Sequence, residues 1–138
     1  MPSVKKSVEL SGTQREAFGL ATDTSRYEEW LTIHDRWPDG PPADVAEGST
    51  FQQGIKIMGM PANVQWTVEA FEPDTRMVLK GAGPMGAQLA TTITADGTTV
   101  SYEAEFSGGG IQGPMGDIVT QKAGEEIEVS LGKLKELS

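Results

Sequence analysis

At 138 residues the chain fits one domain, residues 1–138, and folding at that size buries roughly two-thirds of the unfolded surface, enough for a core with some volume to spare. Twenty Asp and Glu against 11 Lys and Arg leave a formal net charge of −9, a field that repels phosphate backbones and anionic headgroups and argues against nucleic acid and membrane surfaces as partners. Cysteine is absent, which excludes a disulfide framework, a thiol nucleophile and a thiolate metal site; with no apolar h-region behind Lys5 and Lys6 and no run of about 18 apolar residues, the expectation is a cytoplasmic protein without membrane insertion.

Val4, Val8 and Leu10 fall at even positions among polar neighbours, the period of a first strand, with Lys6 as the exception. Thr13, with Glu16 three residues on and Ala17, Phe18 and Leu20 after it, makes a capping box for a short helix. Ser25 with Glu28 repeats the device before Trp30 and Leu31, so two short helices follow the first strand. From Trp37 to Gly48, Pro38, Gly40, Pro41 and Pro42 forbid regular structure and mark a long surface loop.

The stretch from Phe51 to Phe106 reads as five strands in a meander. Phe51, Ile55 and Ile57 alternate, then Val64, Trp66, Val68 and Ala70, then Met77 and Leu79, then Leu89, Thr91 and Ile93, then Val100, Tyr102, Ala104 and Phe106. Breaks fall at Gly59-Met60-Pro61, Pro73-Asp74, Gly81 to Gly86, and Asp96-Gly97, the last a tight-hairpin signal. No crossover helix interrupts the run, which makes the sheet antiparallel. Beyond Gly108-Gly109-Gly110 the chain turns helical. Met115, Ile118, Val119, Ala123, Ile127, Leu131, Leu134 and Leu137 share one broad face, and some 25 residues from Gly113 span about 37 Å, enough to cross the sheet.

A strand, two helices, five strands and a long helix is the element order of the START-like (SRPBCC) helix-grip fold. The string Tyr27-Glu28-Glu29-Trp30-Leu31-Thr32-Ile33-His34, the Gly59-Met60-Pro61 turn with Trp66-Thr67 after it, and the Gly113-Pro114-Met115-Gly116 opening of the last helix resemble the polyketide cyclase/dehydrase branch. Within it they are most similar to actinobacterial members described as toxins of toxin–antitoxin pairs. The resemblance covers nearly the whole chain. It implies an α+β fold, a curved antiparallel sheet of about six strands wrapped round a long C-terminal helix, and a hydrophobic ligand cavity; function varies widely among such relatives, so no reaction type carries over. The acid–base residues of aromatic cyclases find no match here.

Candidate site residues follow from phase. Ile55, Trp66 and Val68 point to the apolar face of their strands, and Gln53, Thr91 and Tyr102 fall in phase with the inward residues of theirs, where polar groups need each other, water or a ligand. Met115 and Val119 would face them from the front of the last helix. Trp30 and His34 would stand at the cavity mouth, His34 in a loop between Trp30 and Trp37. As the only histidine it is a candidate general base, a mouth contact or a plain structural residue. Gly108 to Gly113 matches a dinucleotide fingerprint, but no parallel strand follows the helix, and the same pattern recurs at Gly81 to Gly86. The triple glycine reads better as a hinge or an ordinary loop. Met58, Met60, Met85 and Met115 suit an adaptable rim or plain gap-filling. Glu125, Glu126 and Glu128 read as a solvated helix face.

The expected function is therefore binding of a small hydrophobic molecule, a lipid, polyketide or isoprenoid-like compound, between sheet and helix. A cyclase/dehydratase-type enzyme working through Tyr102 or His34, and a toxin-like module that binds a protein partner, are the alternatives. Nothing in the sequence asks for a cofactor or a metal, and both monomer and homodimer fit.

Overall fold

The computed structural model describes residues 3–42, 45–57, 59–83, 86–108 and 113–138, without the side chains of 57, 60 and 113–115. Seven strands form one antiparallel sheet: β1 (Ser3–Glu9), β2 (His34–Arg36), β3 (Thr50–Ile57), β4 (Met60–Glu72), β5 (Arg76–Ala82), β6 (Gln88–Asp96) and β7 (Thr99–Ser107). Their order is β1-β7-β6-β5-β4-β3-β2, a meander closed on one side by the first strand. Between β1 and β2 lie α1 (Gln14–Thr22), a 3₁₀ turn (Thr24–Arg26) and α2 (Tyr27–Trp30), and α3 (Gly113–Leu137) follows the sheet. The 25 residues of α3 match the expected span.

The seventh strand is β2, three residues long and too short to show a period in the sequence. It corrects the reading of His34 as a loop residue: His34 pairs with Ile55 on β3. A register shift between Val68 and Ala70 on β4 marks a bulge, which bends and twists the strand and helps the sheet curl round the core. At the β6–β7 hairpin Asp96 faces Thr99, and Gly97 supplies the positive φ of 61° that the tight turn needs.

Local signals at the helix starts divide. At α1 the capping box forms in full, Thr13 Oγ1 accepting from the Glu16 amide at 3.2 Å and Glu16 Oε1 from the Thr13 amide at 3.1 Å. The Ser25–Glu28 box does not form. Asp23 instead accepts from the Ser25 amide at 3.1 Å and from its hydroxyl at 2.6 Å, an ionised acceptor displacing a neutral one, and α2 starts behind Arg26 without a side-chain cap.

The core fills the concave side of the sheet. Ala17, Phe18 and Ala21 of α1 cover one end, and Ala123, Ile127, Leu131 and Leu134 of α3 cover the middle and the other end, against Val64, Val68, Met77, Ile93 and Val100. Two close approaches set the distances. A Cβ on Gly124 would stand 3.2 Å from Val4 Cγ2, so α3 seats its glycine directly on β1, and the stem of half-buried Lys6 runs alongside. Gly81 faces Trp66 across the β4–β5 pair, and a Cβ there would fall 2.6 Å from both the indole ring and Val64 Cγ1. Gly81 is thus a seat for an aromatic ring inside a strand, and the chain break read from it comes only after Ala82.

A polar clasp holds α3 to the segment after α2. The Thr32 amide donates to Ser130 Oγ at 2.8 Å, Ser130 Oγ donates to the Glu126 carbonyl at 2.8 Å, and Thr32 Oγ1 donates to the Glu126 carboxylate. Glu126 is therefore half-buried and engaged, not part of a solvated face. Ile118, expected on the buried face, is 44% exposed. The helix stripe that meets the sheet runs through Val119, Ala123, Ile127 and Leu134, and Ile118 lies off it. Of the triple glycine read as a hinge, Gly109 and Gly110 lie outside the described residues; Gly108 has φ 69°, with the Gly86 carbonyl oxygen 2.5 Å from where a Cβ would be.

Two glycine substitutions should move stability in opposite directions. Gly81→Ala, by forcing a methyl group into the Trp66 ring, should cost about 1–3 kcal/mol in urea denaturation. Gly132→Ala, on an open face of α3 with nothing within 4 Å, should gain about 0.5–1 kcal/mol from helix propensity. Ser130→Ala would leave the half-buried Thr32 amide without its acceptor and should cost about 1–2 kcal/mol in the same melts.

Candidate functional site

Burying an indole N–H on the apolar face of a strand requires an acceptor, and β3 provides one. Trp66 Nε1 donates to Gln53 Oε1 at 2.9 Å, and Gln53 Nε2 lies 2.8 Å from His34 Nδ1. This row of three side chains runs from β4 through β3 to β2. Its proton positions follow from one fact. An indole N–H only donates, so the Gln53 atom facing it is the carbonyl oxygen; the Gln53 amide group must then donate to His34, and Nδ1 must be the bare nitrogen. His34 is therefore the neutral tautomer protonated at Nε2. Burial lowers its pKa, opposed by the charges of Glu28 and Asp35.

Aromatic rings pack around the row. His34 lies 4.7 Å from Trp37, ring centre to ring centre, and 6.2 Å from Tyr27. Tyr27 meets Trp30 edge-on at 5.6 Å, and Trp30 meets Tyr102 edge-on at 6.4 Å. Trp30 Nε1 is buried without a hydrogen-bond partner among the described residues. Burial raises the pKa of both phenols, that of Tyr102 to about 12 against the smaller opposing effect of the neighbouring Thr91 hydroxyl, so both stay protonated at neutral pH.

Between this face of the sheet and α3 lies a cavity of about 20 Å³, the room of one water molecule. Gln53 and Ile55 of β3, Trp66 of β4, Leu89 and Thr91 of β6, and Tyr102, Ala104 and Phe106 of β7 form its floor and walls; Ala90 and Glu105, paired across β6 and β7 and out of phase with these, also border it. Ile33 closes one side, and Ala123 and Ile127 of α3 form the roof. A wider depression of about 380 Å³, between Thr22–Ser25 and Pro41, Pro42 and Val45, is open to solvent, and its Asp23 and Thr24 side chains are already engaged in capping and in a bond to the Pro42 carbonyl. The enclosed site is the chemically specific one.

Five of the residues singled out from phase line this cavity together: Gln53, Ile55, Trp66, Thr91 and Tyr102. His34 stands one hydrogen bond behind Gln53, and Trp30 lies beneath Tyr102; neither lines it. Val68 is buried farther along β4, Val119 packs half-buried against the core, and the side chain of Met115 lies outside the described residues, as do Met58 and Met85. Ile33, Leu89, Ala90, Ala104, Glu105, Phe106, Ala123 and Ile127 also line it and were not read as site residues. Leu89, Ala104, Phe106, Ala123 and Ile127 carry the apolar period of their elements, which marks a core position as much as a cavity wall, and Ala90 and Glu105 fall out of phase. Among the described residues no three His, Asp or Glu side chains come together as a metal site.

With that geometry in place, a family model described as polyketide cyclase / dehydrase and lipid transport matches residues 1–138. The chain belongs to this family. The toxin Rv0910 of Mycobacterium tuberculosis is 30% identical over 135 residues, covering 95% of this chain and 94% of that protein. Among solved structures, TTHA0849 from Thermus thermophilus aligns with a TM-score of 0.76 at 15% identity, over 98% of this chain and 95% of its own. A START superfamily protein from Mycobacterium smegmatis aligns with a TM-score of 0.67 at 18% identity over 99% of both chains. These likenesses establish the START-like helix-grip fold, and no helix among the described residues is long and apolar enough to cross a membrane.

His34 ties chemistry to stability here. Replacing it by alanine strands the buried Gln53 amide and should cost about 1–3 kcal/mol, more than a loop residue would. Its folded-state pKa lies below the ordinary 6.5, so the unfolded chain takes up the proton first; this part of the stability is complete above about pH 6.5 and declines as pH falls below it. Urea melts across that window should show a steeper loss for the wild type than for His34→Asn. Imidazole ¹⁵N shifts at neutral pH should report the Nε2-protonated tautomer.

Proposed function

We propose that the chain binds a small hydrophobic molecule of the lipid, polyketide or isoprenoid kind between the sheet and α3. The observation that carries this reading is the convergence of a few neutral polar groups, Gln53, Thr91 and Tyr102, on an otherwise apolar enclosed site, the arrangement that orients a greasy ligand. The family's association with lipid transport supports it. At about 20 Å³ the site is too small for such an occupant, so in this reading Ala123 and Ile127 lift from the sheet to admit it. The ligand then takes the place of the sheet as the apolar surface packed beneath that roof. Burying roughly 300 Å² of ligand surface at about 25 cal/mol/Å² supplies around 7 kcal/mol before the losses of association, which sets an expectation of micromolar affinity.

A second reading, recognition of a protein partner, draws on the name of the mycobacterial toxin relative. Co-expression with the product of an adjacent regulator gene, followed by size-exclusion chromatography, tests it: a stable co-migrating complex supports the partner reading.

For the ligand reading, titration with a neutral fluorescent hydrophobic probe should saturate in the micromolar range. Ala123→Trp, which fills the space under the roof, should weaken binding by about tenfold or more while the protein still melts cooperatively. Absence of saturable binding to the folded wild type would dismiss the reading.

A further inference from the structure

The polar character of this site says which amphiphiles it can accept. Among the described residues, the polar side chains that line it in the inward phase are uncharged: Gln53 with a second amide proton beyond the one given to His34, the Thr91 hydroxyl, and the Tyr102 phenol. No Lys or Arg lines it among the described residues, and the stretch from Gly108 to Gln121, which leads into and forms the front of α3, contains neither. Lys6, on the inner face of β1, is the cross-strand partner of Tyr102 and runs its stem past Gly124; it does not line the cavity itself. The charged residue that borders it among the described residues, Glu105, is acidic and out of phase with the inward residues of β7, and the chain as a whole carries −9.

Resting on the ligand-binding reading above, we infer that the site selects neutral molecules bearing a hydroxyl or carbonyl oxygen, and discriminates against anionic amphiphiles such as fatty-acid carboxylates and lipid phosphates. A neutral oxygen meets hydroxyl and amide donors on the cavity floor. A carboxylate seated there loses its water with no cation among the lining residues to replace it, in the field of a chain that carries −9. Such a seat does not return to an anion what it gives up in solution.

The test is displacement of N-phenyl-1-naphthylamine, a neutral apolar probe, from the full chain by three matched competitors below their micellar range: tetradecanol, methyl tetradecanoate and tetradecanoate. The solution is held at about pH 8, where the acid is ionised, and about 0.15 M salt. The alcohol and the ester should displace the probe, and the carboxylate should be weaker than the ester by about tenfold or more. A carboxylate that competes within about threefold of the ester overturns the inference while leaving hydrophobic binding intact. Failure of the probe and all three competitors to bind removes the ligand-binding reading itself, and this inference with it. Tyr102→Phe serves as the second measurement: affinity for tetradecanol should fall about three- to tenfold more than affinity for the apolar probe does. An alcohol affinity that falls no more than the probe's in that variant overturns the role given to the phenol.

Discussion

An indole nitrogen with nowhere to put its proton except another side chain is the constraint on which the site is built. Trp66 occupies the centre of the concave face, opposite a glycine on one flanking strand and Phe51 on the other, and its ring fits there only because Gly81 has no Cβ. Satisfying its N–H orients the Gln53 amide, and that orientation settles which nitrogen of His34 carries a proton. Three strands are thereby coupled through a polar thread in an apolar wall. Because each member has one admissible role, the thread has no alternative low-energy arrangement in which all its donors remain satisfied.

The sheet presents more concave surface than one helix can cover by close packing. α3 descends on β1 at Gly124, is clasped to the segment after α2 by Ser130 and Glu126, and spans the middle of the sheet with Ala123 and Ile127. Both anchors lie toward or beyond the middle of the helix. Its residues above the cavity are small or single aliphatic side chains, so the roof is held by dispersion and hydrophobic contact with no polar bond across the gap among the described residues. A boundary of this kind separates at a cost proportional to the area uncovered, and an apolar occupant restores that area.

Much of the architecture is legible in the sequence because most strands have one wet face and one dry face. The clean alternation of Val64, Trp66 and Val68, and of Val100, Tyr102, Ala104 and Phe106, announces both strand and orientation, and the 25 residues of α3 show a helical stripe. The inward polar residues Gln53, Thr91 and Tyr102 stand out by the same logic, as exceptions in a dry phase. What stays hidden is hidden for physical reasons. A strand of three residues has no period, so β2 and the engagement of His34 are invisible. Gly81 reads as a break because a missing side chain looks the same whether it serves a turn or makes room for a neighbour. Glu126 sits beside Glu125 and Glu128 in the chain, yet only its direction on the helix brings it to Thr32. The Asp23 cap prevails over the Ser25 signal because sequence spacing ranks neither the charge nor the reach of competing acceptors. Cavity volume, finally, is a difference between large packed volumes that no pattern encodes.

The pairing of β1 with β7 has a bearing on how the molecule is made. Ser3 faces Glu105, so β1 leaves the ribosome long before its partner and stays unpaired until almost all of the sheet has been synthesised, whereas β3 to β7 can zip up as successive hairpins. Loop closure over that distance adds little to the equilibrium cost but slows the search, as long-range strand pairing does generally. α3 comes later still. In the interval a nascent chain carries a nearly finished sheet whose concave side, Trp66 included, is bare and whose β7 edge is unpaired. Both features promote self-association, so the demand on cellular chaperoning should be greatest just before the last helix docks.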